Sequence, residues 1–78
     1  MNTLHVYGQT GPHDTVIITG DRESLQTLHT ALTAALQEPD GQRHRTEFFC
    51  NDGEAYDVTI FCATNINEMR SPYSNRYE

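Results

Sequence analysis

The sequence contains no lysine. All five basic residues are arginine, they stand against eleven aspartates and glutamates, and the formal net charge is −6 with neutral histidines. Binding to a phosphate backbone rests on neutralising phosphates with Lys and Arg, so direct nucleic-acid binding is disfavoured. The same imbalance favours a basic surface on a larger protein, such as the nucleic-acid channel of an effector. Cysteine is scarce as well, with only Cys50 and Cys62 and no CxxC. That excludes a disulfide framework, and both cysteines fall in apolar runs where a buried, reduced thiol is the simplest role. Long apolar runs are missing too: nothing approaches the ~18 residues of a membrane span. The stretch MNTLHVYGQ has neither the basic region nor the apolar region of a signal peptide. The expectation is a soluble cytoplasmic chain with no membrane partner.

What is present suffices for one domain over residues 1–78. Seven aromatics (three Phe, four Tyr) within 36% hydrophobic residues give a small core substance. At ordinary per-residue values, a chain of this length has a net stability of roughly 4–12 kcal/mol, so few core positions are expendable.

The run TLHVYG (3–8) alternates as a strand, with Leu4 and Val6 on one face and His5 and Tyr7 on the other. GQTGPHD (8–14) is turn punctuation, and the β-branched TVIITG (15–20) returns as a second strand. A helix follows over residues 22–37. Asp21 is its N-cap, Glu23 complements the dipole, and Leu25, Leu28, Leu32, Ala35 and Leu36 form the stripe expected to face the core. Pro39 stops it. Strands at 45–51 and 54–64 then flank Asn51-Asp52-Gly53. An even two-residue turn there would mix core with solvent, so an odd loop with left-handed Gly53 is expected, putting Phe48 and Cys50 with Tyr56, Val58 and Ile60. The polar tail 65–78 has Met69 and Tyr73 as its anchors. The sum is an α+β fold of ββαββ order: a four-stranded, mainly antiparallel sheet with one amphipathic helix on one face.

Chemistry-bearing motifs are few. NDGEAYDVTIFC has glycine third and cysteine twelfth, so it does not follow the EF-hand pattern of oxygen ligands with glycine sixth. GQTGPHDT lacks the Lys-Ser/Thr ending of a phosphate-binding loop and leads into a strand. His5, His13, His29 and His44 show no zinc spacing, and a His44–Cys50 nucleophile pair would lie at a core edge. No catalytic residue, metal or cofactor is expected. One helix cannot cover two sheet faces, which leaves His5, Tyr7, Ile17, Phe49 and Phe61 pointing away from it. That open face is the expected interaction site, and two copies could also meet across it.

The order VIITGDRESLQTLHTALTAAL, then FFCNDGEAYDVTIF, then SPY, across residues 15–73, resembles short bacterial and phage ββαββ proteins. The small, acidic, single-domain profile is similar to phage anti-defence proteins such as anti-CRISPRs, and to toxin-immunity proteins. The resemblance implies inhibition by occlusion. The expectation is a non-enzymatic binding module in which Glu47, Asp52, Glu54 and Asp57 steer it to a basic partner and Tyr7, Phe49 and Phe61 anchor it. A homodimeric small-molecule or nucleotide sponge is the alternative.

Overall fold

A computed structural model describes residues 3–69. Tyr73 and the rest of the tail beyond Met69 lie outside the described residues. The elements are β1 (Leu4–Tyr7), β2 (Ile17–Gly20), α1 (Arg22–Gln37), β3 (His44–Phe49), β4 (Ala55–Ile60) and a one-turn 3-10 helix (Ile66–Glu68). The fold is α+β in ββαββ order, but the four strands do not form one sheet. β1 pairs with β2 and β3 pairs with β4, giving two separate antiparallel hairpins.

A single parallel bridge, Thr3 to Phe49, joins them. It links the residue before β1 to the last residue of β3, so the hairpins are staggered nearly end to end. The chain of β3 turns away at Asn51, and β1 is left without a continuous ladder partner on that side. Two side chains take over there. The Tyr56 hydroxyl donates to the Leu4 carbonyl, and the Asn51 amide donates to His5 Nε2 at 3.1 Å. This stagger is why the expected four-stranded sheet splits. It also leaves the β1–β2 hairpin as an arm beyond the tip of the second hairpin. The radius of gyration is 13.4 Å, larger than the ~11.5 Å of a compact chain of this size.

The β3–β4 hairpin has the expected odd turn. Phe49 pairs with Ala55 and Phe48 with Tyr56. The Cys50 amide meets the Glu54 carbonyl at 2.9 Å, closing a three-residue loop in which Gly53 has φ +88°. Only glycine adopts that conformation at little cost. Phe48 therefore sits with Thr46, Val58 and Tyr56 on the face under the helix and is fully buried.

α1 has the predicted ends. Asp21 caps it, its carboxylate accepting from the Ser24 amide at 2.8 Å. That bond is the main reason its carboxyl sits below the usual range; the nearby Ser24 hydroxyl adds to it, though it makes no hydrogen bond of proper geometry. The helix is rotated from the expected stripe. Of that stripe Ala35 is buried as expected and Leu28 half-buried, but Ser24 and Ala31 are buried beside them while Leu25, Leu32 and Leu36 are 43%, 46% and 75% exposed. The reason is the floor beneath. Two strands spaced about 4.8 Å apart are narrower than an apolar stripe, and small residues let the helix close onto Phe48. Leu25, Leu32 and Leu36 fall to one exposed flank.

At the base of the arm, Gly20 is confined. A Cβ there would meet Leu4 Cδ1 and the Thr3 carbonyl at 3.0 Å and Ser24 Cβ at 3.3 Å. The arm, the join and the first turn of α1 thus share one close contact. At the other end the Cys62 thiol donates to the Ala35 carbonyl at 3.8 Å, and the Gly41 amide to the Cys62 carbonyl at 2.7 Å. These contacts draw the chain out of the sheet after Ile60, which is why β4 ends four residues before its expected limit. No helix among the described residues is long and apolar enough to cross a membrane.

Candidate functional site

The second hairpin concentrates the charge of the molecule. Between Glu38 and Asp57 the sequence holds six acids (Glu38, Asp40, Glu47, Asp52, Glu54, Asp57) and two arginines (Arg43, Arg45). Alternation puts Glu47 and Asp57 directly opposite one another on the face away from the helix. Like charges opposed across a ladder disfavour each other. Arg45 Nε lies 4.0 Å from Asp57 Oδ2, with both side chains at least half exposed, which offsets little of that repulsion. Asp52 and Glu54 sit at the exposed turn, where Asp52 Oδ1 accepts from the Glu54 amide at 2.9 Å. All four expected carboxylates are therefore exposed on one hairpin, two on its outer face and two at its tip.

The aromatic residues divide. Tyr7 is 53% exposed on the arm. Phe49 is half-buried, since its backbone bridges to Thr3 at the join. Phe61 is half-buried as well, and the Arg43 guanidinium covers its ring at 4.6 Å from the centroid. The cover that alternation left unassigned for Phe61 is thus a cation–π contact. The open apolar face expected to span the whole sheet reduces to Tyr7 and Ile17, both on the arm.

Tyr7 and the acidic tip are brought together at the angle between the hairpins. An open groove of about 480 Å³ is lined there by His5, Tyr7, Cys50, Asp52 and Tyr56, among others. Its polar groups are largely engaged. Because the Asn51 amide can only donate, His5 Nε2 is its acceptor and the proton resides on Nδ1, which lies 3.1 Å from the Tyr7 hydroxyl. The rings of His5 and Tyr7 meet edge-on, 6.0 Å between centroids. The Tyr56 phenol is pushed above its usual range, first by burial and second by the neighbouring Cys50 thiol. A phenol kept neutral keeps its proton for the Leu4 carbonyl.

The remaining candidates do not assemble. His44 and Cys50 stand six residues apart on one strand, about 20 Å at ordinary strand rise. Among the described residues no three His, Cys, Asp or Glu side chains converge as a metal-binding group. The 8–14 loop turns at His13, with φ 62°, and is closed by Thr10 donating to Asp14 Oδ2 at 2.8 Å. The roles of His5 and Tyr56 as clasps between the hairpins were not evident in the sequence. Tyr56 reads there as one more residue of the apolar face, and only the stagger brings its hydroxyl to β1. Against known proteins, no family model, no curated protein and no solved structure matches this chain.

Proposed function

We propose that this chain is a small, non-enzymatic, protein-binding module that inhibits or masks a larger protein by occluding a basic surface. What supports the reading is the segregation of charge: Glu47, Asp52, Glu54 and Asp57 are all exposed on one hairpin, with exposed Tyr7 beside its tip. Such a surface steers association through the carboxylates and supplies an aromatic anchor for close contact. Its target is a protein with a cationic patch, a nucleic-acid-binding effector being one such protein. The resemblance to anti-defence proteins points to a phage-encoded inhibitor acting in the cytoplasm, and a toxin-neutralising role would use the same surface. A small-molecule sponge is less well supported, because both ring nitrogens of His5 and the Tyr56 hydroxyl are already engaged inside the groove.

Affinity capture from lysate with native mass spectrometry identifies the partner and its stoichiometry. The reading expects capture to weaken strongly for the combined Glu47→Gln, Glu54→Gln, Asp57→Asn variant and for Tyr7→Ala. Undiminished capture by both would refute it.

A further inference from the structure

We infer that two copies of this chain associate through an apolar surface formed by the helix-side face of the arm and the leucine flank of α1. Leu4 pairs with Gly20 and Val6 with Ile18, so Val6 and Ile18 share the face that the helix covers only at Leu4. Val6 is 45% exposed, Ile18 50% and, by the same alternation, Val16 47%. The leucine flank adjoins this face, since one shallow recess is lined by Gly20 at the base of the arm together with Arg22, Leu25, Gln26 and His29 of α1. Leu25, Leu32 and Leu36 line that flank.

Three observations favour a second copy over another occupant. The first is charge. In a chain of net charge −6, the only Asp, Glu or Arg between Thr15 and Gln37 are Asp21, Arg22 and Glu23 at the start of α1. Depletion of charge is the compositional mark of an interface core. The acidic side chains suited to a basic partner lie on the other hairpin and adjoin this surface at Val6, which shares a groove with Asp52; the inference itself rests on the arm and α1 and does not depend on that reading. The second is area. Six Val, Ile and Leu side chains, each about half bare, leave on the order of 500 Å² of apolar surface. That is close to the apolar share, about 57–65%, of the ~800 Å² per partner in a standard interface. The third is the arm itself. A two-stranded hairpin is marginal on its own in water, and β2 is an edge with no charge or proline to block pairing. A two-fold arrangement would cover the arm and the flank of both copies at once.

Analytical ultracentrifugation across a dilution series from micromolar to millimolar tests this. The wild type is expected to sediment at twice the chain mass in the upper part of the range. Ile18→Asp and Leu36→Glu, in two different elements, are each expected to sediment at the single-chain mass throughout with unchanged far-UV circular dichroism. Glu54→Gln, on the acidic hairpin, is expected to behave as wild type. Should one arm or helix variant fail to fold, the other decides. A wild type of single-chain mass at every concentration would overturn the inference, as would dimers retained by both folded variants. A monomeric wild type whose partner capture is lost in Ile18→Asp would assign the surface to another protein, and would overturn it equally.

Discussion

The rotation of α1 can be tested by exchanging size between its two faces. Ala31 is 2% exposed above the Phe48 floor, whereas Leu36 is 75% exposed on the flank. Ala31→Leu inserts three carbons into a close contact, and overpacking of that kind costs about 1–3 kcal/mol. Leu36→Ala removes three carbons that are only a quarter buried. At ~0.8 kcal/mol per buried methylene this costs about 0.6 kcal/mol. With the leucine stripe inward, the order would invert: Leu36→Ala would cost ~2–5 kcal/mol and Ala31→Leu would stay within ~0.5 kcal/mol. Urea denaturation followed by circular dichroism, at the lowest protein concentration that gives signal, separates the two while keeping self-association out of the measurement. A larger loss for Leu36→Ala than for Ala31→Leu would refute the packing described. Against a total of roughly 4–12 kcal/mol for a chain of this size, the Ala31 effect should be plain.

Two further outcomes concern the join. Gly20→Ala places a methyl against the Thr3 carbonyl, a backbone atom that cannot rotate away, and should cost about 1–3 kcal/mol by thermal or urea unfolding; an unchanged midpoint would mean the arm base is looser than described. Tyr56 ionises later in the folded chain than unfolded, so its contribution is complete below the unfolded value of 10.0 and is lost as pH rises through the higher folded value. Spectrophotometric titration should therefore show one late phenolate, absent in Tyr56→Phe, and that variant should lose about 0.5–1.5 kcal/mol at neutral pH. A Tyr56→Phe chain with the full set of late-titrating phenols would contradict the clasp.

Much of this architecture was legible from local signals. Asp21, the apolar spacing and Pro39 mark α1 to the residue, because capping and helix breaking act over one turn. The odd turn at Gly53 followed from requiring Phe48, Tyr56 and Val58 on one face, since a one-residue slip would set Phe48 opposite Asp57 and on the face away from Tyr56 and Val58. What escaped is non-local. Alternation says which residues share a strand face, but not that the first hairpin bridges to β3 only at its end, through Thr3 and Phe49, and this stagger divides the sheet. The helix rotation escaped for a related reason: counting leucines ranks faces by apolarity, whereas a narrow two-stranded floor selects for close approach through Ser24, Ala31 and Ala35. The carboxylates of the site were legible as exposed turn and edge residues. The covering of Phe61 by Arg43 was not, because it joins the segment before β3 to the one after β4.

The most direct test of the account is the salt dependence of binding to the captured partner, measured by calorimetry for the wild type and for the Glu47→Gln, Glu54→Gln, Asp57→Asn variant. Exposed charges that steer association are screened over about 10 Å at 0.1 M salt. The account predicts wild-type affinity that falls steeply as salt rises, and variant affinity that is weak at low salt and nearly flat. Equal affinities with equal slopes would contradict the assignment of the acidic hairpin as the binding surface.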